Sequence, residues 1–165
     1  MRGKRLTKSQ LSKDGQYKVF HGGIEPIGYY AEFNRDGNTV MVINVGASAG
    51  TLGFSKEKFW SSDGCFCLSH TPLLSGRFVY YYLQTKESYL MSRVRRAGIP
   101  TLDGKVLEDM YFPLLSLSEQ QRIVDILDRF DSLTNDLTQG LPAEIEKRKQ
   151  QYEYYRDKLL TFKRI

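Results

Sequence analysis

Residues 119–137, EQQRIVDILDRFDSLTNDL, and residues 140–162, GLPAEIEKRKQQYEYYRDKLLTF, decide how this chain is built. Ile123, Phe130 and Leu137 recur at every seventh position, with Ile126 and Leu133 between them. Beyond Gly140 and Pro142 the count restarts, with Ile145, Tyr152 and Leu159 in one row and Tyr155 and Phe162 in another. Apolar residues at sevenfold spacing form a narrow seam on a helix, and another helix covers such a seam better than a broad core does. Each half runs for about 20 residues, or roughly 30 Å of helix. The spacing therefore predicts a long C-terminal coiled-coil helical stalk over residues 118–165, with a globule over residues 1–117 mounted on it.

The 165 residues leave room for one core domain and an appendage. A hydrophobic content of 41% and an aromatic content of 13% are those of a folded chain. No apolar run approaches the roughly 20 residues that cross a bilayer. The start, with Arg2, Lys4, Arg5 and Lys8, lacks the apolar segment of a secretory signal. A cytoplasmic protein with no membrane partner is expected. The net charge of +5 lies wholly in the globule, because residues 119–165 hold nine Lys/Arg against nine Asp/Glu. A basic globule on a neutral stalk points to a polyanion partner, although a modest positive balance also serves solubility alone.

Upstream of the stalk the pattern is α+β. Residues 17–20, 26–30, 39–45 and 64–69 read as strands, with TVMVINV (residues 39–45) as the central one. Asp36-Gly37-Asn38 is a hairpin signal between the second and third. Residues 76–96 carry helical spacing and end on Arg93, Arg95 and Arg96. Residues 106–113 read as a last edge strand or an extended connection, and Ser118 with Gln121 resembles a capping box. The expected globule is a twisted sheet with packed helices.

Candidates for chemistry are thin. The loop Gly46 to Gly53 has no Lys-Ser/Thr ending and is not G-x-G-x-x-G, so it is a poor nucleotide cradle. Cys65, Cys67 and His70 lack a fourth zinc ligand, and the two cysteines, alternating with Phe66 and Leu68, read as small buried hydrophobes. The two histidines belong to no triad or metal motif. No catalytic residue and no metal site is assigned, and the chain is expected to bind and not to catalyse.

Four stretches together resemble the specificity (S) subunits of type I restriction-modification systems. They are VINVGASAGTLGFS (residues 42–55) followed by Phe59-Trp60 and Asp63-Gly64-Cys65-Phe66, and Tyr80 to Leu83 ahead of Ala97-Gly98-Ile99-Pro100-Thr101-Leu102. The third is Pro113 with Glu119-Gln120 and Ile123 to Asp128, and the last is residues 140–162. The resemblance implies a target-recognition domain that reads half of a split DNA site, with antiparallel helices setting the unread spacer. It further implies modification subunits that carry S-adenosylmethionine and methylate adenine, and a restriction subunit using ATP and Mg, with no cofactor on this chain. A full S subunit has two recognition domains and two such helices. This chain is accordingly expected to be a half subunit, slightly clipped at Met1, that forms a homodimer and reads a palindromic split site in double-stranded DNA.

The expected pairing seam is Ile123, Ile126, Phe130, Leu133, Leu137, Ile145, Tyr152, Tyr155, Leu159 and Phe162. The expected DNA contacts are Lys4, Arg5, Lys8, His21, Gly23, Tyr29, Tyr30, Ser48, Thr51, Arg93, Arg95 and Arg96. Cations would position the phosphate backbone, while His, Ser, Thr or an Arg fork would read base edges. Each tyrosine also has an ordinary place in a core. A reading of another class stays open, in which the chain is an assembly or decoy component whose globule binds protein alone.

Overall fold

The computed structural model describes residues 2–68, 71–136 and 142–162, without the side chains of Leu133, Asn135, Asp136 and residues 142–145. The single expected sheet is two sheets of three strands. One has the order β2 (Gly28–Tyr30), β1 (Tyr17–Phe20), β5 (Trp60–Ser61), and the other β4 (Leu52–Ser55), β3 (Thr39–Ile43), β6 (Cys65–Cys67). All pairs are antiparallel except β1 with β5.

Strand β3 is buried along its whole length. Strand geometry sends alternate side chains to opposite faces, so β3 serves two cores. Val40 and Val42 join Leu52, Val79, Leu83, Leu90 and Leu102 on the helical side. Met41 and Ile43 join Phe20, Phe59, Cys65 and Cys67 between the sheets. Both cysteines are there as the buried small hydrophobes their alternation suggests. Burial, with the nearby Cys67 and Asp63, pushes the Cys65 thiol from 9.0 up to about 12. His70 lies outside the described residues. Among the described residues no group of His, Cys, Asp and Glu is placed to hold a metal ion, and no helix is long and apolar enough to cross a membrane.

Several local expectations are corrected. Asp36-Gly37-Asn38 does turn the chain, with Asn38 left-handed at φ 55°. It carries the chain from one sheet to the other and not through a hairpin, because β2 and β3 share no ladder. The strands that pair as neighbours in the chain are β1 with β2 and β3 with β4, the second pair closed by the glycine-rich loop. Gly50 adopts φ 92° there, and a Cβ on it would meet the Met91 backbone at 3.0 Å. The helix over residues 76–96 breaks at Thr85-Lys86 into α1 (Gly76–Gln84) and α2 (Glu87–Ser92). Residues 105–108 are a helical turn, α3 (Lys105–Glu108), where Asp103 Oδ1 accepts the Lys105 N–H at 3.0 Å, and residues 110–113 are a connection without helix or strand. Helix α4 (Leu117–Asp136) is capped by Ser116, whose hydroxyl accepts the Glu119 N–H at 3.3 Å. The residue proposed as cap, Ser118, stands inside the helix, and Gln121 instead bonds Asp125.

The largest correction concerns the stalk. Helix α5 (Pro142–Leu159) returns antiparallel along α4: Tyr155 stacks on Phe130, and Leu160 joins Ile123, Val124 and Leu127. The buried stripe of α4 is Gln120, Ile123, Val124 and Leu127. That is the broad stripe of a globular helix, wider than a seam at every seventh residue. It packs on Phe78 and Tyr81 of α1, whose Val79 and Leu83 face the β3 core. One helix thus joins the sheets to the helical hairpin.

Leu127 is fully buried, so Leu127→Ala is expected to cost about 2–5 kcal/mol in denaturant titration. The raised Cys65 value predicts a second effect. The unfolded thiol ionises near 9.0 while the folded one holds its proton to about 12. The contribution of this group to stability is complete below pH 9 and is lost as pH climbs through that window. Thermal melting between pH 8 and 11 should show this loss, and Cys65→Ala should reduce it.

Candidate nucleic-acid interface

At the C-terminal end of β3 several loops are tied together. The Asn44 N–H donates to Gly64 O at 3.1 Å, and its carbonyl accepts from the Leu102 N–H at 2.9 Å. Gly46 N–H donates to Pro100 O at 2.9 Å, and Val45 bridges Thr101. The His21–Gly23 turn lies against Val45, since a Cβ on Gly22 would stand 3.0 Å from the Val45 carbonyl. Three segments that the sequence offered separately (the turn at 21–23, the glycine-rich loop and residues 95–101) therefore share one rim.

Arg95 and Thr101 exchange both backbone hydrogen bonds, at 2.9 and 3.0 Å, which closes residues 96–100 into a tip. Gly98 supplies its left-handed turn at φ 81°. Buried Val94 roots the tip in the core, while Arg93, Arg95 and Arg96 are exposed. Arg93 lies over the Tyr89 ring. None of the three arginines has a carboxylate partner among the described residues, so their charge faces solvent.

His21 is held where the turn meets the first sheet. Its Nδ1 is 3.0 Å from Ser62 Oγ and 3.5 Å from Asp63 Oδ1. Because the hydroxyl and the carboxylate both address the same ring nitrogen, this is not a relay for nucleophilic catalysis, which needs the two on opposite nitrogens. It orients the ring towards a groove of about 790 Å³, which Lys8, Lys13 and Tyr29 also line. The cavity at the other end of β3 is of opposite character. Val40, Leu68, Leu74, Val79 and Phe112 line its roughly 300 Å³, with no charged side chain.

The sequence candidates thus divide. Lys8, His21 and Tyr29 share the groove. Gly23, Ser48, Arg93, Arg95 and Arg96 lie on the adjoining rim. Thr51 is at the rim too, but its hydroxyl donates to Ser48 O at 2.8 Å within the turn. Tyr30 points the other way from Tyr29, as strand alternation requires, and packs edge-on against Trp60 at 5.0 Å. Lys4 and Arg5 run along β5, at the sheet edge away from Tyr29. Lys4 N–H donates to Ser61 O, and its carbonyl accepts the Trp60 indole N–H. Lys13, Ser62 and Asp63 were missed. Lys13 stood in the basic N-terminal run, but no sequence signal ties Ser62 and its neighbour Asp63 to His21, 41 residues before Ser62.

The helical candidates are also placed. Ile123 is buried against α1; Ile126, Phe130, Tyr152, Leu159 and Phe162 are half-buried; Tyr155 is exposed on one side. Leu137 and the side chains of Leu133 and Ile145 lie outside the described residues.

Exposed cations and hydrogen-bonding groups on loops braced by a rigid sheet are what a phosphate backbone and base edges meet. In agreement, a family model described as the type I restriction modification DNA specificity domain matches residues 1–147. This chain belongs to that family. It is 43% identical over 88 residues to the Escherichia coli type I restriction enzyme EcoR124I/EcoR124II specificity subunit, across 52% of this chain and 22% of that subunit. It is 28% identical over 166 residues to the MpnII specificity subunit of Mycoplasma pneumoniae, across 98% of this chain. There the chain spans about half the relative, 49% of its length. The crystal structure of the type I restriction-modification S subunit from M. genitalium superposes with a TM-score of 0.71 at 26% identity, covering 95% of this chain and 42% of that one.

Arg95→Ala combined with Arg96→Ala removes only exposed side chains, so stability should change by less than about 0.5 kcal/mol. Binding to a mixed-sequence duplex should weaken, and the slope of log K against log salt should become shallower by about 2. A titration series from 50 to 200 mM salt checks this, and an unchanged slope would remove both arginines from the interface.

Proposed function

We propose that this chain is the DNA-reading part of a type I specificity subunit, recognising one half of a split site and directing adenine methylation by modification subunits that bind it. The observation that carries this reading is the shared rim, where Arg93, Arg95 and Arg96 stand beside the His21 turn and the Ser48 loop. Lys8, Lys13, Arg95 and Arg96 suit phosphates, while His21 and Ser48 suit base edges in the major groove. The chemistry, with S-adenosylmethionine, and the ATP- and Mg-dependent cleavage of a restriction subunit, belong to the partners.

The reading extends to pairing. The α4–α5 hairpin meets the equivalent helices of a second such unit, and two copies related by a twofold axis read a palindromic split site. In support, Tyr154 and Tyr155 remain 61% and 39% exposed on α5, in edge-on contact with each other at 5.3 Å. Their exposure supports α5, rather than the Ile123 side of α4, as the pairing face.

The test is a methylation map, by single-molecule sequencing, of genomic DNA from cells expressing the chain with its modification subunit. The expected result is one new split motif, palindromic and methylated on both strands. An asymmetric split motif would replace the second copy with an unlike partner. No new motif, with both proteins soluble and associated, would overturn the DNA reading in favour of an assembly or decoy role.

A further inference from the structure

Helix α4 is fastened to the globule by two directional polar contacts in addition to its apolar stripe. The first is at its start. Gln120 is fully buried, its Oε1 accepting the Ser75 N–H at 2.8 Å and its Nε2 donating to Leu73 O at 2.8 Å and Leu115 O at 2.9 Å. The second is two turns on. Arg77 of α1, its side chain only 18% exposed, donates Nε to Asp128 Oδ1 at 2.8 Å and Nη2 to Tyr81 Oη at 2.8 Å. Its Nη2 also lies 2.7 Å from Asp128 Oδ1 and 3.4 Å from Asp131 Oδ2. The Tyr81 hydroxyl donates to the same Asp128 oxygen, and burial together with that bond holds its phenol well above the ordinary range. The rings of Tyr81, Phe54 and Tyr80 lie 4.6, 5.1 and 5.3 Å from the guanidinium carbon.

For stability alone this arrangement is wasteful. A charge this withdrawn from water loses much of its hydration, and apolar side chains of the same volume commonly hold a helix as well or better. What directional contacts add is angle. Apolar packing falls off little as two helices rock or slide by a fraction of a turn, whereas a hydrogen bond weakens steeply once bent. Gln120 and Asp128 stand about 12 Å apart along α4, so together they hold both the direction and the roll of its axis against α1.

We propose that Arg77, through Asp128 and Asp131, is a positioning residue that fixes the angle between the DNA-reading globule and the helical hairpin, and so restricts the complex to one spacing between half-sites. The proposal rests on the function proposed above. Its scale is set by geometry. A globule of this size places its DNA-facing rim roughly 25 Å from the junction, and rocking it by about 8° moves that rim one base-pair step of about 3.4 Å. A junction loose by that amount would accept neighbouring spacers while leaving the half-site sequence, read by the rim, unchanged.

The test repeats the methylation map with Arg77→Lys and with Asp128→Asn plus Asp131→Asn, each co-expressed with the modification subunit. Lysine keeps the charge but loses the planar fork. Leu127→Ala serves as the comparison, because it loosens the same junction without touching a polar contact. The expected result is that both polar variants methylate the wild-type half-sites at spacers one base pair shorter or longer, about tenfold more often than wild type does. Leu127→Ala should stay on the wild-type spacer, at whatever level its stability allows. Methylation confined to the wild-type spacer in the polar variants, or equal broadening with Leu127→Ala, overturns the proposal. If neither polar variant gives soluble complex, Asp131→Asn alone, which removes only the outermost contact, decides by the same criterion. A wild type with no split motif overturns the functional reading itself, and this proposal with it.

Discussion

Five consecutive residues of β3 are withdrawn from water, and most of the architecture follows from satisfying them. A strand buried on both faces and both edges needs a partner strand on each side and an apolar layer above and below. Strands β4 and β6 supply the edges. Above, Val40 and Val42 meet α1 and α2; below, Met41 and Ile43 meet Phe20, Phe59 and the two cysteines. That lower contact is where the second sheet attaches.

Because β3 is so fully enclosed, its two ends become the natural addresses for function. The C-terminal end emerges under Asn44, whose backbone ties the 62–65 segment to the start of the 102–104 segment. Loops rooted in so rigid a strand keep their relative positions, which direct readout of base edges requires. The other side of the helical layer is occupied by α4 and α5. Helix α1 is shared between the two regions, with Val79 and Leu83 turned to β3 and Phe78 and Tyr81 turned to α4. The helical hairpin thus rests on the same nine-residue helix that packs on β3, and on the segment just before it, where Gln120 bonds Leu73 and Ser75.

The parts legible from sequence are those that depend on neighbours along the chain. The β-branched run at residues 39–43, the alternation of Cys65 and Cys67, the helical spacing after Gly76 and the start of a long helix near residue 118 each declare themselves within one window. The misjudged parts depend on contacts across the fold. Tyr29 and Tyr30 look like a pair in sequence, yet Trp60, 30 residues on, takes the Tyr30 ring in an edge-on contact. Ile123 looks like part of a seam for a foreign helix, yet Phe78 and Tyr81 of the same chain cover it. Nothing in sequence links Ser62 and Asp63 to His21, and the parallel pairing of β1 with β5 sets them beside it.

By itself, the sequence determined the class of fold, the excess charge of the globule and the presence of two C-terminal helices, because composition and periodicity are local properties, while the family was legible only as a resemblance of particular stretches. Tertiary structure alone decided what covers those helices: that α5 turns back along α4, that the single sheet is two, and that separated basic and polar segments meet on one rim. A periodic pattern states which side of an element avoids water. Which neighbour provides the shelter is settled by the whole chain, through packing of residues far apart in sequence.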